Sequence, residues 1–125
     1  MDPIQAPVEH TATFEHPNDH YQVRLGDQVI VDTSRAIIVK EVSERGVYPP
    51  VLYFPIEDTR KELLEPTDLH TRCPIKGEAS YFSVSANGKV LENAAWFYPS
   101  PSEQVSEIAG YLSFYSDKVE IQVID

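Results

Sequence analysis

At 125 residues with 42% apolar side chains, the chain is long enough to bury one ordinary core and too short for two comfortable domains. Its 20 acidic against 10 basic residues leave a net charge of -10, which repels phosphate backbones and anionic lipid and sets nucleic acid and membrane surfaces aside as partners. A single cysteine excludes an internal disulfide, and the opening Met1-Asp-Pro-Ile-Gln-Ala-Pro7 has neither the basic nor the apolar region of a secretory leader, so the expectation is a soluble cytoplasmic protein. Apolar runs such as Ala36-Ile-Ile-Val39 fall far short of the roughly 20 residues that a membrane helix needs.

Residues 1–19 carry three prolines and no sustained period of 2 or 3.6, which reads as an N-terminal arm ordered only by docking on the domain that follows, residues 20–125. His10, His16 and His20 lie close together, but three histidines without a fixed scaffold or a fourth ligand read as solvated, and no metal site is expected. From Tyr21 short β-branched and aromatic runs appear: 21–25, 28–32, 35–42 and 51–54, with Gly26-Asp27 as a hairpin signal between the first two. In Val29-Ile-Val31 and Ile37-Ile-Val39 the apolar residues run on without alternating, as in strands covered on both faces; shortness and β-branching favour strand over buried helix. Pro49-Pro50 leads into an extended Val51-Leu-Tyr-Phe54 that either ends at Pro55 or lies at a sheet edge.

Between Ile56 and Leu64 the pattern suggests one helical turn or irregular structure, and Glu65-Pro-Thr-Asp68 is turn chemistry. Ser80 to Val84 and Lys89 to Glu92 flank Asn87-Gly88, a two-residue hairpin turn, and Ala94 to Tyr98 reads as a further strand. Ser100-Pro-Ser-Glu103 has the form of a capping box, predicting a short helix near 101–109 closed by Gly110. Leu112 to Phe114 and the alternating Val119 to Ile124 finish the chain as strands. The predicted fold is mainly β: one compact domain of about seven to nine short, mostly antiparallel strands, barrel- or tent-like, with that single short helix.

The stretch Leu69 to Val84 concentrates the reactive side chains. Cys73 is a candidate nucleophile if Arg72 or Lys76 favours its thiolate, although a free cysteine more commonly packs as a small hydrophobe. Lys76-Gly77 has the look of an anion clamp, or of a plain solvent-exposed turn. Tyr53, Tyr81, Trp96 and Tyr98 sit on predicted strands, with Trp96 and Tyr98 on one face by the period of 2. Arg35, Glu41 and Glu92 lie in or beside strands, where ionised groups are costly unless paired or opening to water. Glu41 and Glu92 are weak candidates for an acid/base pair.

Several of these positions fall in strings that resemble the domain-of-unknown-function family 427: Ser34-Arg35-Ala36, Glu41, Tyr53-Phe-Pro55 with Asp58, Leu63-Leu-Glu-Pro-Thr-Asp68, Thr71-Arg-Cys-Pro-Ile-Lys-Gly77, Ala79-Ser-Tyr-Phe82, Glu92-Asn-Ala-Ala-Trp96 with Tyr98, and Gly110 with Phe114-Tyr115. The resemblance covers about residues 21–123 and implies a small, mainly β, single-domain protein. A nucleotidyltransferase-like label is sometimes attached to the family. That chemistry pairs a Gly-Ser turn with carboxylates holding Mg²⁺, and here Gly77-Glu-Ala-Ser80 is followed by no Asp-x-Asp.

The expected function is binding of a small polar or anionic ligand in a pocket lined by Arg35, Glu41, Tyr53, Lys76, Tyr81, Glu92, Trp96 and Tyr98, with Cys73–Gly77 as one wall and Glu92–Tyr98 as the other. Two rivals stand beside it. One is an enzyme using Cys73, or Lys76 with a glutamate; the other is a homodimeric interaction domain joined through an exposed strand edge. The residues leave the identity of any cofactor open.

Overall fold

The computed structural model describes residues 10–124. Eleven strands follow one another along them: β1 (Thr11–Glu15), β2 (His20–Leu25), β3 (Gln28–Thr33), β4 (Ile37–Ser43), β5 (Gly46–Val47), β6 (Val51–Pro55), β7 (Leu64–Cys73), β8 (Gly77–Ala86), β9 (Lys89–Phe97), β10 (Tyr111–Phe114) and β11 (Glu120–Ile124). Eight of them form an antiparallel sheet in the order β1-β4-β6-β10-β9-β8-β7, with β5 pairing beside β4. The remaining three form a smaller sheet, β11-β2-β3. No helix among the described residues is long and apolar enough to cross a membrane.

Alternation along the central strands of the large sheet divides its side chains between two cores. On one face Phe54, Ala95, Leu112 and Phe114 pack with Val23, Ile30 and Val31 of the small sheet. Each large side chain fully buried there contributes about 1.5–3 kcal/mol relative to exposure. On the opposite face Ile37, Val39, Tyr53, Tyr81 and Tyr98 gather beneath Val105 and Ile108. The register explains the division: Ile37 pairs with Tyr53, and Tyr81 with Trp96, so these residues project to the same side.

The turns that require unusual backbone are those with the right residues for it. Asn87 and Gly88, at φ 53° and 74°, close the β8–β9 hairpin in the left-handed conformation expected of a two-residue turn. β6 ends at Pro55 in the interior of the sheet, where a missing N–H costs nothing further along the ladder.

Within the arm, residues 11–15 dock as an edge strand, β1, paired residue by residue with β4 from Thr11↔Val42 to Glu15↔Ile38, a partner more than twenty residues away. Three expectations are corrected. Glu65-Pro-Thr-Asp68 is no turn but lies within the ten-residue strand β7, whose pairing with β8 shifts register between Pro66 and His70. An edge strand with a bulge can hold a proline that a central one cannot. Lys89 to Glu92 and Ala94 to Tyr98 are not two strands but one, β9, bent where its pairing with β8 shifts register. The short helix is a 3₁₀ segment, Glu103–Ile108, kinked at Val105, and its N-cap is Ser102 rather than Ser100. Ser102 makes no capping bond because its hydroxyl donates instead to the Ile75 carbonyl.

Candidate functional site

The face that carries Tyr53, Tyr81, Trp96 and Tyr98 encloses an ion pair at one end, the closed end, and opens into a recess at the other. A separate recess of about 540 Å³, lined by His10, Ser43, Glu44, Arg45, Tyr48 and Pro74, lies just outside the closed end. At the closed end β4 presents Glu41 toward the tight turn between β7 and β8. Lys76 in that turn is only 6% exposed and its ammonium contacts the Glu41 carboxylate. His10 Nε2 lies 2.9 Å from the other Glu41 oxygen and its ring packs on Tyr48 at 5.7 Å between centroids. Burial pulls the Lys76 pKa down to about 8, while the adjoining carboxylate favours the ammonium. The Lys76 Nζ also stands 6.0 Å from the centre of the Tyr98 ring.

The backbone of this turn has a separate task. The Lys76 carbonyl accepts from Ser102 N–H at 3.0 Å, and Ile75 accepts from the Ser102 hydroxyl, so the turn anchors the 3₁₀ segment that covers the aromatic face. Gly77, at φ 108°, brings the chain within 3.3 Å of the Ser100 carbonyl measured from where a Cβ would stand. Lys76-Gly77 is therefore neither an exposed turn nor a clamp open to an anion.

In the middle of the face the polar atoms satisfy one another. Trp96 Nε1–H donates to the Tyr53 hydroxyl at 3.2 Å, and the Tyr98 hydroxyl interacts with the same group. Thr71 and Tyr81 share a hydrogen bond of 2.9 Å. Burial pushes the Tyr53 phenol up to about 12 and Tyr98 further still, so both stay neutral hydrogen-bonding groups. Cys73 packs half-buried against this cluster.

At the open end the strands bulge together. The register shift between Phe82 and Val84 against β9 lies beside the shift in β7, and Asn93 takes the left-handed conformation, φ 51°. Two bonds hold it there: its N–H donates to Ser83 Oγ at 3.1 Å, and Thr67 Oγ1 donates to its side-chain oxygen at 2.6 Å. Next to it a recess of about 500 Å³ is lined by Leu69, Tyr81, Glu92, Asn93, Tyr115, Asp117 and Lys118. Tyr115 stacks at a tilt on Trp96, 4.7 Å between centroids. Burial, then the neighbouring Tyr81 hydroxyl, pushes the Tyr115 phenol up to about 12.

The expected pocket is thus not one pocket. Glu41, Lys76 and Tyr98 meet at the closed end, Tyr53 links them to Trp96, and Tyr81 and Glu92 belong to the open recess. Glu92 lies between Leu91, the partner of Val84, and Ala95, the partner of Phe82, six to seven residues along β8 from Gly77, which puts it roughly 20 Å down the strand from the Lys76 end at about 3.3 Å per residue. Glu92 therefore does not face Cys73–Gly77 as an opposite wall, nor does it pair with Glu41. Arg35 lies elsewhere, gripping Asp58 at 3.0 Å and Glu57 at the start of the 56–58 turn. Those two carboxylates, neighbours in the sequence, both reach Arg35 because the backbone there is 3₁₀ and not strand.

A sequence comparison matches residues 13–125 to a family described as a domain of unknown function, DUF427. The chain belongs to DUF427. No match was found among curated proteins. In this DUF427 chain the Cys73-Pro-Ile-Lys-Gly77 string builds the closed end, while Ala79-Ser-Tyr81 and Glu92-Asn-Ala-Ala-Trp96 run from the aromatic face to the open recess. Asn93, Tyr115 and Lys118 were not among the expected site residues, and His10, expected to be solvated, is half-buried against Glu41. The available signal was an asparagine inside a strand pattern, a position where that residue is depleted unless the backbone bends. Among the described residues no three His, Cys, Asp or Glu side chains are grouped to hold a metal ion, and His10 and His20 face different carboxylates, Glu41 and Asp32.

Proposed function

We propose that this DUF427 domain binds a small polar molecule in the open recess bounded by Tyr81, Glu92, Asn93 and Tyr115. The observation that carries this reading is Asn93. A non-glycine residue held at positive φ by two side-chain bonds, where two neighbouring ladders break register together, marks a place where the sheet gives up regular pairing to shape a surface. The recess of about 500 Å³ is the size of a small-ligand site and combines aromatic faces with a few convergent polar groups.

Its charge favours a neutral or amine-bearing ligand over an anion, since Glu92 and Asp117 face a single Lys118. The anionic version would draw on Lys76, but that ammonium is enclosed and paired with Glu41. The enzyme readings have less support for the same reason: Lys76 is paired with Glu41 and does not line this recess, and the Cys73 thiol is packed among aromatic side chains. Crystals soaked with a panel of small polar compounds test the proposal. Density for a compound against Asn93 and Tyr115 is the expected result; compounds found only at the Arg35 or His10 ends would overturn it.

A further inference from the structure

We infer that the group recognised in this recess is an organic ammonium, and that Lys118 fills its place until the ligand arrives. The inference rests on the recess being the binding site and names what it binds. Lys118 Nζ stands 5.7 Å from the centre of the Tyr115 ring, inside the roughly 6 Å at which a cation is drawn to an aromatic face. The same nitrogen donates to the Glu92 carbonyl oxygen at 3.3 Å. A cation already sits where the recess offers a π surface and a backbone acceptor, with the Glu92 and Asp117 side chains lining the same space.

The occupant is held weakly enough to leave. Lys118 is exposed, and although two carboxylates line the recess, neither is within salt-bridge distance of its ammonium. Its tether is the turn from Tyr115 to Lys118, closed by Lys118 N–H donating to the Tyr115 carbonyl at 3.0 Å. Swinging a long, solvated side chain aside costs little, whereas the fixed parts of the site stay in place: the Tyr115 N–H is bonded to the Ala94 carbonyl at 3.0 Å and its ring leans on Trp96. An incoming ammonium takes over the Tyr115 face and lies against the electronegative carbonyl oxygen, and it approaches a chain whose net charge of -10 concentrates cations around it.

Choline and its uncharged isostere 3,3-dimethylbutan-1-ol are the probes, titrated into the full chain with amide chemical shifts as the readout. Choline is expected to bind about fivefold more tightly than the alcohol and to shift Asn93, Tyr115 and the Trp96 indole. K118M, which removes the internal competitor, should tighten choline binding about threefold. Tyr115→Leu should weaken it about tenfold, with unchanged shifts at the Lys76 end confirming an intact fold. Equal affinity for choline and the alcohol overturns the ammonium claim and leaves the recess as a binding site. Unchanged choline affinity in K118M overturns the role given to Lys118. Absence of any choline shift at those positions also overturns the ammonium claim, and the recess then stands or falls by the soaked panel alone.

Discussion

The two ends of the aromatic face are built from similar residue types and treat charge in opposite ways. At the closed end Lys76 and Glu41 are desolvated together, with His10 completing the carboxylate's contacts, and the result is a fixed joint beneath the 3₁₀ segment. At the open end Glu92, Asp117 and Lys118 remain exposed to water around Tyr115 and the bent Asn93. A buried ion pair mainly penalises its own disruption, whereas exposed charges around an aromatic face remain free to meet a ligand. Residue identity alone therefore says little about which lysine or glutamate is open to a ligand; desolvation decides it.

Substitutions that separate stability from binding sharpen that contrast. The largest effect is expected from Glu41→Ala, which leaves the enclosed Lys76 without its carboxylate and lowers unfolding free energy by about 3–5 kcal/mol in denaturant titrations, with a smaller loss from Lys76→Met because Glu41 keeps His10. The double variant Glu41→Leu with Lys76→Met should recover most of that loss and bind recess ligands like the parent. A double variant as unstable as the worse single one, or one that loses ligand, would put function at the closed end.

Asp58 gives a smaller effect, with a pH signature. Burial raises its pKa, but the bonds from the Thr33 hydroxyl at 2.6 Å and from Arg35 outweigh burial and hold the carboxyl below its ordinary value. With the folded pKa depressed, its contribution is complete above the unfolded value of 3.8 and disappears as pH falls through the lower folded pKa. Asp58→Asn should cost about 1 kcal/mol at neutral pH and flatten the loss of stability in acid, with recess binding unaffected. An unchanged acid limb in thermal melts would contradict this.

The smallest stability change and a clear binding change are expected together from Asn93→Gly. Glycine accepts φ 51° without strain, so stability should move by less than about 1 kcal/mol, while losing the amide and its bond to Thr67 weakens the ligand. Calorimetric titration with choline reads the second effect, and parent-like affinity would remove Asn93 from the site.

Much of the fold could be read from local chemistry. Asn87-Gly88 permits few backbones other than the tight turn it forms, and the period of 2 correctly put Trp96 and Tyr98 on one face. What stayed hidden depended on distant partners. Ser100-Pro-Ser-Glu103 satisfies the local rule for a helix start, yet Ser102 is drawn to Ile75, 27 positions earlier. Lys76 and Glu41 are 35 positions apart, and nothing near either residue says that they meet. Pro66 argued for a turn because a ladder needs its N–H, and only an edge strand with a register shift removes that objection. That the aromatic side chains share a face was legible, while the division into an enclosed end and an open recess depends on the Lys76–Glu41 contact and on the bulges near Asn93 and Pro66.

The most direct test of that division is a chemical-shift map of the full chain during a choline titration. Perturbations centred on Tyr81, Glu92, Asn93 and Tyr115, with Glu41, Lys76 and His10 unmoved, are the predicted result. Perturbations centred on Lys76 and Glu41, with the Asn93 bend unmoved, would contradict it.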